Sequence, residues 1–217
     1  MIEAVIFDMD GLLLDTERIA VDAWIGAAAE LDINLTLDVV HKTIGINHEG
    51  TKRIIANAIG GEELLEKLSI QFEVYYRQLA KNGIPLKPGA LELLRSLHSR
   101  GVPVGLATST PRRTAEWKLE SSRLLQYFSG SACGDEVERG KPAPDVFLLS
   151  AQRIGAEPCR CVVLEDSPAG ILGAKAAGMT TIMVPDLLEP PAEILPYADY
   201  VVRDLFEAGV LLRGLLL

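Results

Sequence analysis

Short apolar runs and longer amphipathic stretches divide this chain, and the change of period between them marks its organisation. Ala4-Val5-Ile6-Phe7 is an unbroken apolar run near the start, which predicts an inner strand of a parallel sheet covered on both faces. From Thr16 the spacing becomes helical, with Ile19, Ala23, Trp24, Ala27 and Leu31 on one stripe and Asp15 or Thr16 available as N-cap. Further helices are predicted over 36–43, 50–59 and 62–82, the last carrying Leu64, Leu65, Leu68, Phe72, Tyr75 and Leu79. No strand-like segment separates them. After Asn82-Gly83 alternation returns: a helix over 89–100 ending at Gly101, a strand over 102–108, a helix from Pro111 and a short strand over 129–133. Strands recur at 161–165, 180–184 and 200–202, with helices between them.

Repeated strand and helix units predict an α/β fold whose core is a doubly wound, Rossmann-like parallel sheet. The helical stretch after the first strand is then an inserted all-helical cap domain. The expected division is 1–15 and 84–217 for the core and 16–83 for the cap, whose hinges fall close to the tip of the first strand, so that the insertion can act as a lid.

Composition narrows the class. The 217 residues are 48% hydrophobic and 24% charged, ordinary for a soluble domain with a sizeable core. The formal charge of −9 argues against nucleic acid as the main partner, because that binding depends on neutralising phosphates. Cys133, Cys159 and Cys161 are odd in number and form no Cys-x-x-Cys pair, which favours buried reduced thiols over a disulfide framework or a zinc site. Neither an export signal nor a membrane span is expected, and the compartment expected is the cytoplasm.

The candidate chemistry sits at the ends of the predicted strands. Asp8-Met9-Asp10-Gly11 follows the first strand directly, so two carboxylates two residues apart stand where ligands bind in such sheets. Held near 4 Å they would repel by about 4 kcal/mol at an effective dielectric near 20. A cation site and a plain acidic turn are both open readings of these four residues. The strand over 102–108 ends in Thr108-Ser109-Thr110-Pro111, either a Ser/Thr cap or a phosphate site at a helix start, with Pro111 in the helix's first turn. Lys141, in Gly140-Lys141-Pro142, reads as a surface lysine or as a point charge for a phosphate. The run Cys161-Val162-Val163-Leu164 ends in Glu165-Asp166, followed by Ser167 as N-cap, Pro168 at the first helical position and Gly178 beyond the last turn. In a parallel sheet all these ends share one edge, where Asp8, Asp10 and Asp166 offer hard oxygen ligands and Thr108 and Lys141 suit phosphate oxygens.

At these residues the chain resembles the haloacid dehalogenase superfamily, in its branch of small phosphatases and β-phosphoglucomutase, over nearly its full length. The family's first motif, Asp-x-Asp-Gly-x-x-x-Asp-Thr/Ser, is met by Asp8, Asp10, Gly11, Asp15 and Thr16, the second by Thr108, the third by Lys141 and the fourth by Glu165 and Asp166. The resemblance implies that Asp8 is a nucleophile forming an aspartyl-phosphate, and that Asp10 is the acid toward the leaving oxygen and then the base toward water. It implies Mg²⁺ held by Asp8, the Asp10 backbone carbonyl and Asp166, with Glu165 nearby, and a phosphoryl group gripped by Thr108, the Ser109 backbone N–H and Lys141. Covalent catalysis and charge neutralisation agree with that division of labour. The family's cap loop is matched by Gly45-Ile46-Asn47-His48, so Gly45, Asn47 and His48, together with Lys42, are candidate substrate contacts beside a surface-loop reading.

The resemblance implies a phosphatase acting on a small-molecule phosphate ester, of the sugar phosphate or phosphoglycolate type, with a monomer as the simplest assembly. The superfamily's dehalogenases lack the second acid of the first motif, which Asp10 supplies here. A phosphomutase shares the whole core; β-phosphoglucomutase carries a histidine just before its Ala-Trp pair in the first cap helix, where this chain has Ala20 ahead of Ala23-Trp24. A third reading, a phosphate-binding or regulatory module that does not turn over, is separated from the others by Mg²⁺-dependent hydrolysis.

Overall fold

The computed structural model describes residues 2–44 and 48–216. The chain divides into two compact units, one of Met1–Leu14 with Pro85–Leu217 and one of Asp15–Ile84.

The first unit is built on a parallel sheet. Its strands are β1 (Ala4–Phe7), β2 (Val104–Ala107), β3 (Gly130–Ala132), β4 (Cys161–Glu165), β5 (Thr180–Met183) and β6 (Tyr200–Val201), in the order β3-β2-β1-β4-β5-β6. Helices α5 (Ala90–Ser99), α6 (Arg112–Ser121), α7 (Asp145–Arg153), α8 (Pro168–Ala176) and α9 (Leu205–Leu215) cover its two faces. Every residue of β1, β2 and β4 is buried, which is why β1 and β4 up to Leu164 read as unbroken apolar runs. On one face Ala4, Ile6, Ala107, Cys161 and Val163 pack against Val146, Phe147 and Ala151 of α7 and Ala174 of α8.

Strand order decides where ligands can bind. From β1 the chain winds outward through β2 and β3, then crosses back to place β4 on the other side of β1 and winds outward through β5 and β6. The direction reverses between β1 and β4, the point at which open α/β sheets form their crevice. Register aligns the ends: Phe7 pairs with Leu106 on one side and Leu164 on the other, so Asp8 emerges level with Glu165. Beyond β1 the chain turns sharply, the N–H groups of Leu13 and Leu14 both donating to Met9 O and that of Gly11 to Leu14 O. Met9, Leu12, Leu13 and Leu14 bury their side chains and anchor this turn.

The second unit is helical in all its described elements: α1 (Thr16–Glu30), α2 (Leu37–His41), α3 (His48–Ile59) and α4 (Glu62–Leu79), the last continued by a 3-10 turn at Ala80–Asn82. Its core joins Trp24, Ala27 and Ala28 to Val40, Ile55, Leu65 and Leu68, and Trp24 stacks on Phe72 with ring centroids 4.1 Å apart.

Several local expectations are corrected. Leu31, Leu64 and Leu79 are exposed, and Ala28 and Tyr76 take buried places on their helices. Each helix's apolar stripe is broad, and its edge residues fall to solvent once neighbouring helices set the rotation. Asp15 caps α1 without a side-chain cap bond, its carboxylate turning to Arg18 at 2.7 Å. Pro111 has extended ψ and stands just before α6 as its N-cap. Cys133 and Cys161 are buried thiols, whereas Cys159 is exposed in a 3-10 turn at Pro158–Arg160. No described helix is long and apolar enough to cross a membrane.

Candidate active site

Asp8 continues β1, its N–H still donating to Leu164 O, and its side chain is buried. Beside it, at the end of β4, Glu165 is fully buried. Between the two lies Lys141, delivered by the crossover from β3 to β4. Its Nζ donates to Asp8 Oδ1 at 2.6 Å and to Glu165 Oε1 at 2.5 Å, and sits 5.0 Å from the centroid of the Phe147 ring. The surface-lysine reading of Lys141 therefore falls away: its side chain is 6% exposed.

The second oxygen of Glu165 accepts from the backbone N–H of Ser167 at 2.8 Å and from its hydroxyl at 2.9 Å. Ser167 caps α8 as expected, accepting from the Gly170 N–H at 3.1 Å, with Pro168 at the first helical position. Close approach governs two glycines beside these acids. Gly11 has φ +82°, and a Cβ there would lie 2.3 Å from Asp166 Oδ2; a Cβ on Gly170 would lie 1.8 Å from Glu165 Oε1.

Asp8, Glu165 and Asp166 each offer a carboxylate oxygen within 4.8 Å of the others. Three hard oxygen donors with a single lysine among them make a fitting site for a divalent cation of the Mg²⁺ type. Burial pushes the Asp8 carboxyl up to about 7; Lys141 opposes this, and Glu165 and Asp10 reinforce it. For Lys141 burial alone would lower the ammonium's value, but the carboxylates of Asp8 and Glu165 outweigh it and hold the group charged.

Asp10 lies on the turn after β1, and its carboxylate is held differently. Oδ2 accepts from Thr110 Oγ1 and Oδ1 from Lys118 Nζ, each at 2.6 Å. Thr108, at the end of β2, is almost fully buried, and its hydroxyl accepts from the Thr110 N–H at 3.1 Å; Ser109 beside it is exposed. The first unit thus brings Asp8, Lys141 and Glu165 into direct contact, with Asp166 alongside, and ties Asp10 to the Thr108–Thr110 turn. Lys118 and Thr110 are contacts the sequence reading did not single out. The signal for Lys118 was its place between Ala115 and Leu119 on the apolar stripe of α6.

Gly45 and Asn47 fall outside the described residues, as does the side chain of His48, whose backbone opens α3. Lys42 follows α2 and is exposed.

Comparison with known proteins bears on the same residues. A family model described as haloacid dehalogenase-like hydrolase matches residues 2–178. A Drosophila melanogaster protein named probable pseudouridine-5′-phosphatase is 38% identical over 193 residues, covering 83% of this chain and 80% of its own length. The phosphorylated carbohydrates phosphatase of Thermotoga maritima is 34% identical over 180 residues, 83% of each chain. Among solved structures, β-phosphoglucomutase from Clostridium difficile superposes with a TM-score of 0.76 and 28% identity, covering 95% of this chain and 93% of that one. With the matched segment running from before β1 to beyond α8, and Asp8, Asp10, Lys141, Glu165 and Asp166 all inside it, the chain belongs to the haloacid dehalogenase-like hydrolase family.

Proposed function

We propose that this hydrolase is a Mg²⁺-dependent phosphatase that releases inorganic phosphate from a small phosphorylated metabolite, of the sugar phosphate or phosphoglycolate type. The observation that carries the reading is the buried contact of Lys141 with both Asp8 and Glu165, beside Asp166, at the carboxyl edge of the sheet. A structural ion pair needs one carboxylate; this lysine gathers two and leaves a third within ligand distance.

In this reading Asp8 attacks phosphorus. The bond from phosphorus to the ester oxygen breaks as the bond to an Asp8 oxygen forms, and Asp10 gives its proton to the departing oxygen. Water then attacks the aspartyl-phosphate, Asp10 takes the water's proton, and Asp8 is released with inorganic phosphate. Thr108, the Ser109 N–H and Lys141 hold the phosphoryl oxygens. Asp8, Glu165 and Asp166, with the backbone carbonyl of Asp10, would hold Mg²⁺, which offsets negative charge on the phosphoryl group and on Asp8. The names of the pseudouridine-phosphate and carbohydrate-phosphate relatives support a small ester as substrate.

The likeness to a β-phosphoglucomutase keeps a mutase as the second reading, since that activity requires the same core; Ala20, where β-phosphoglucomutase has histidine, favours hydrolysis. The test is phosphate release from a panel of sugar phosphates, phosphoglycolate, glycerol 3-phosphate and pseudouridine 5′-phosphate, with and without Mg²⁺, beside Asp8→Asn. Metal-dependent release absent from the variant is expected. Conversion of β-glucose 1-phosphate to glucose 6-phosphate without release would replace the phosphatase by the mutase, and silence in both assays would leave a binding or regulatory module.

A further inference from the structure

Helix α6 turns Ala115, Lys118 and Leu119 toward the interior, so a lysine stands on the helix's apolar stripe. Its side chain is 11% exposed. An ammonium stripped of water at this depth is costly without a charged partner, and an apolar residue would fill the same place without that cost. The partner is Asp10. Lys118 Nζ binds Oδ1 at 2.6 Å while Thr110 Oγ1 binds Oδ2 at 2.6 Å, so each oxygen of one carboxyl has its own donor. One donor would fix the direction of the group and leave its plane free to turn; two donors on two oxygens fix both. Asp10 lies beyond the end of β1, on a turn that a bridge to Leu14 and the hydrogen bonds to Met9 O hold in place, so the backbone is set and the two donors fix the side chain.

We propose that Lys118, together with Thr110, is a positioning residue for Asp10, and that it sets the carboxyl through which the leaving oxygen is protonated. The inference rests on the phosphatase reading above, in which Asp10, ion-paired with Lys118, takes up the proton that a monoanionic phosphate ester brings in and passes it to the ester oxygen as that oxygen's bond to phosphorus breaks. Lys118 acts through Asp10. A purely structural ion pair would affect folding, and would lower the turnover of every ester alike.

The two roles separate on the leaving group. p-Nitrophenolate departs readily without a proton, whereas the alkoxide of benzyl phosphate does not. Because kcat/KM reports the steps up to the first irreversible one, it reads the departure and not the later hydrolysis of the aspartyl-phosphate. General acid catalysis contributes about 10²–10⁴-fold. In Lys118→Met, kcat/KM for benzyl phosphate is therefore expected to fall by about 30-fold or more, with p-nitrophenyl phosphate held within about threefold; Lys118→Arg, which keeps a charged donor, recovers part of the difference. Thr110→Val removes the other donor without touching the lysine, and is expected to act in the same direction. It decides the matter if Lys118→Met does not fold by circular dichroism. Equal losses on the two esters, or none on either, overturn the inference and leave the phosphatase standing. No phosphate release by the unaltered protein from these two esters or from any ester of the panel above removes the phosphatase reading, and the inference with it.

Discussion

Lys141 and Asp8 lie 133 residues apart in the chain and meet at 2.6 Å, with less than a tenth of either side chain exposed. Removing one partner of such a pair strands the other charge in the interior, at a cost of about 3–5 kcal/mol. Lys141 leaves two stranded carboxylates, because Glu165 shares it. Lys141→Met is expected to lose about that much stability in urea denaturation and to lose phosphate release altogether. A variant as stable as the parent would show that the pair is solvated in solution.

Gly11 stands against Asp166 with no room for a Cβ and at a φ that side chains rarely adopt. Gly11→Ala faces about 1–2 kcal/mol of backbone strain, and in addition pushes Asp166 aside. The expected outcome is a modest drop in melting temperature with a much larger rise in the Mg²⁺ concentration needed for half-maximal phosphate release. Equal metal requirement in variant and parent would separate Asp166 from the metal.

Removal of divalent cations with a chelator is expected to abolish phosphate release, and added Mg²⁺ to restore it. Asp166→Asn retains the size of the side chain and one oxygen but not the charge, so it should shift the Mg²⁺ dependence upward by tenfold or more. Full activity in chelator would remove the metal from the proposed chemistry.

Glu136 lies in the 3-10 turn at Gly134–Glu136 after β3. It binds Arg153 at 2.7 and 3.0 Å, Arg112 at 2.6 Å and the Cys133 N–H at 2.9 Å. The Arg153 hydrogen bonds, with those from Arg112 and Cys133, outweigh partial burial and hold its carboxyl down at about 2, against an ordinary 4.5. A value depressed on folding stabilises the native state above the unfolded value, and that stability is lost as pH falls through the folded one. Glu136→Gln should therefore be less stable than the parent at neutral pH, and the gap should close between about 4.5 and about 2. Urea titrations at stepped pH read the gap directly; one that stays constant over that range would show that the carboxylate contributes no charge-dependent stability.

Local signals in the chain carried most of the element pattern. Ala4-Val5-Ile6-Phe7 and Cys161 to Glu165 form strands as read, because four apolar residues in a row, present in each, can be satisfied only by burial on both faces. Ser167-Pro168 starts α8 where expected, since a hydroxyl acceptor followed by a residue without an N–H suits a helix's first turn. Asp8, Thr108, Lys141, Glu165 and Asp166 were each legible as candidates from their places at strand or loop ends, and the shared edge of a parallel sheet argued that they belong together.

What the sequence by itself determined was thus the class of fold, the family motifs and the residues most able to do chemistry, all of which depend on neighbours a few positions away. Only the tertiary structure decided that β4 lies beside β1, so that Glu165 comes level with Asp8, and that Lys141, which local grounds left open between the surface and a phosphate site, is enclosed between them. It alone brought Lys118 onto Asp10, 108 residues away, because a lysine within an amphipathic helix looks solvated until something of opposite charge is packed against its stripe. Burial and charge pairing are properties of contacts between distant segments, and periodicity along one segment does not contain them.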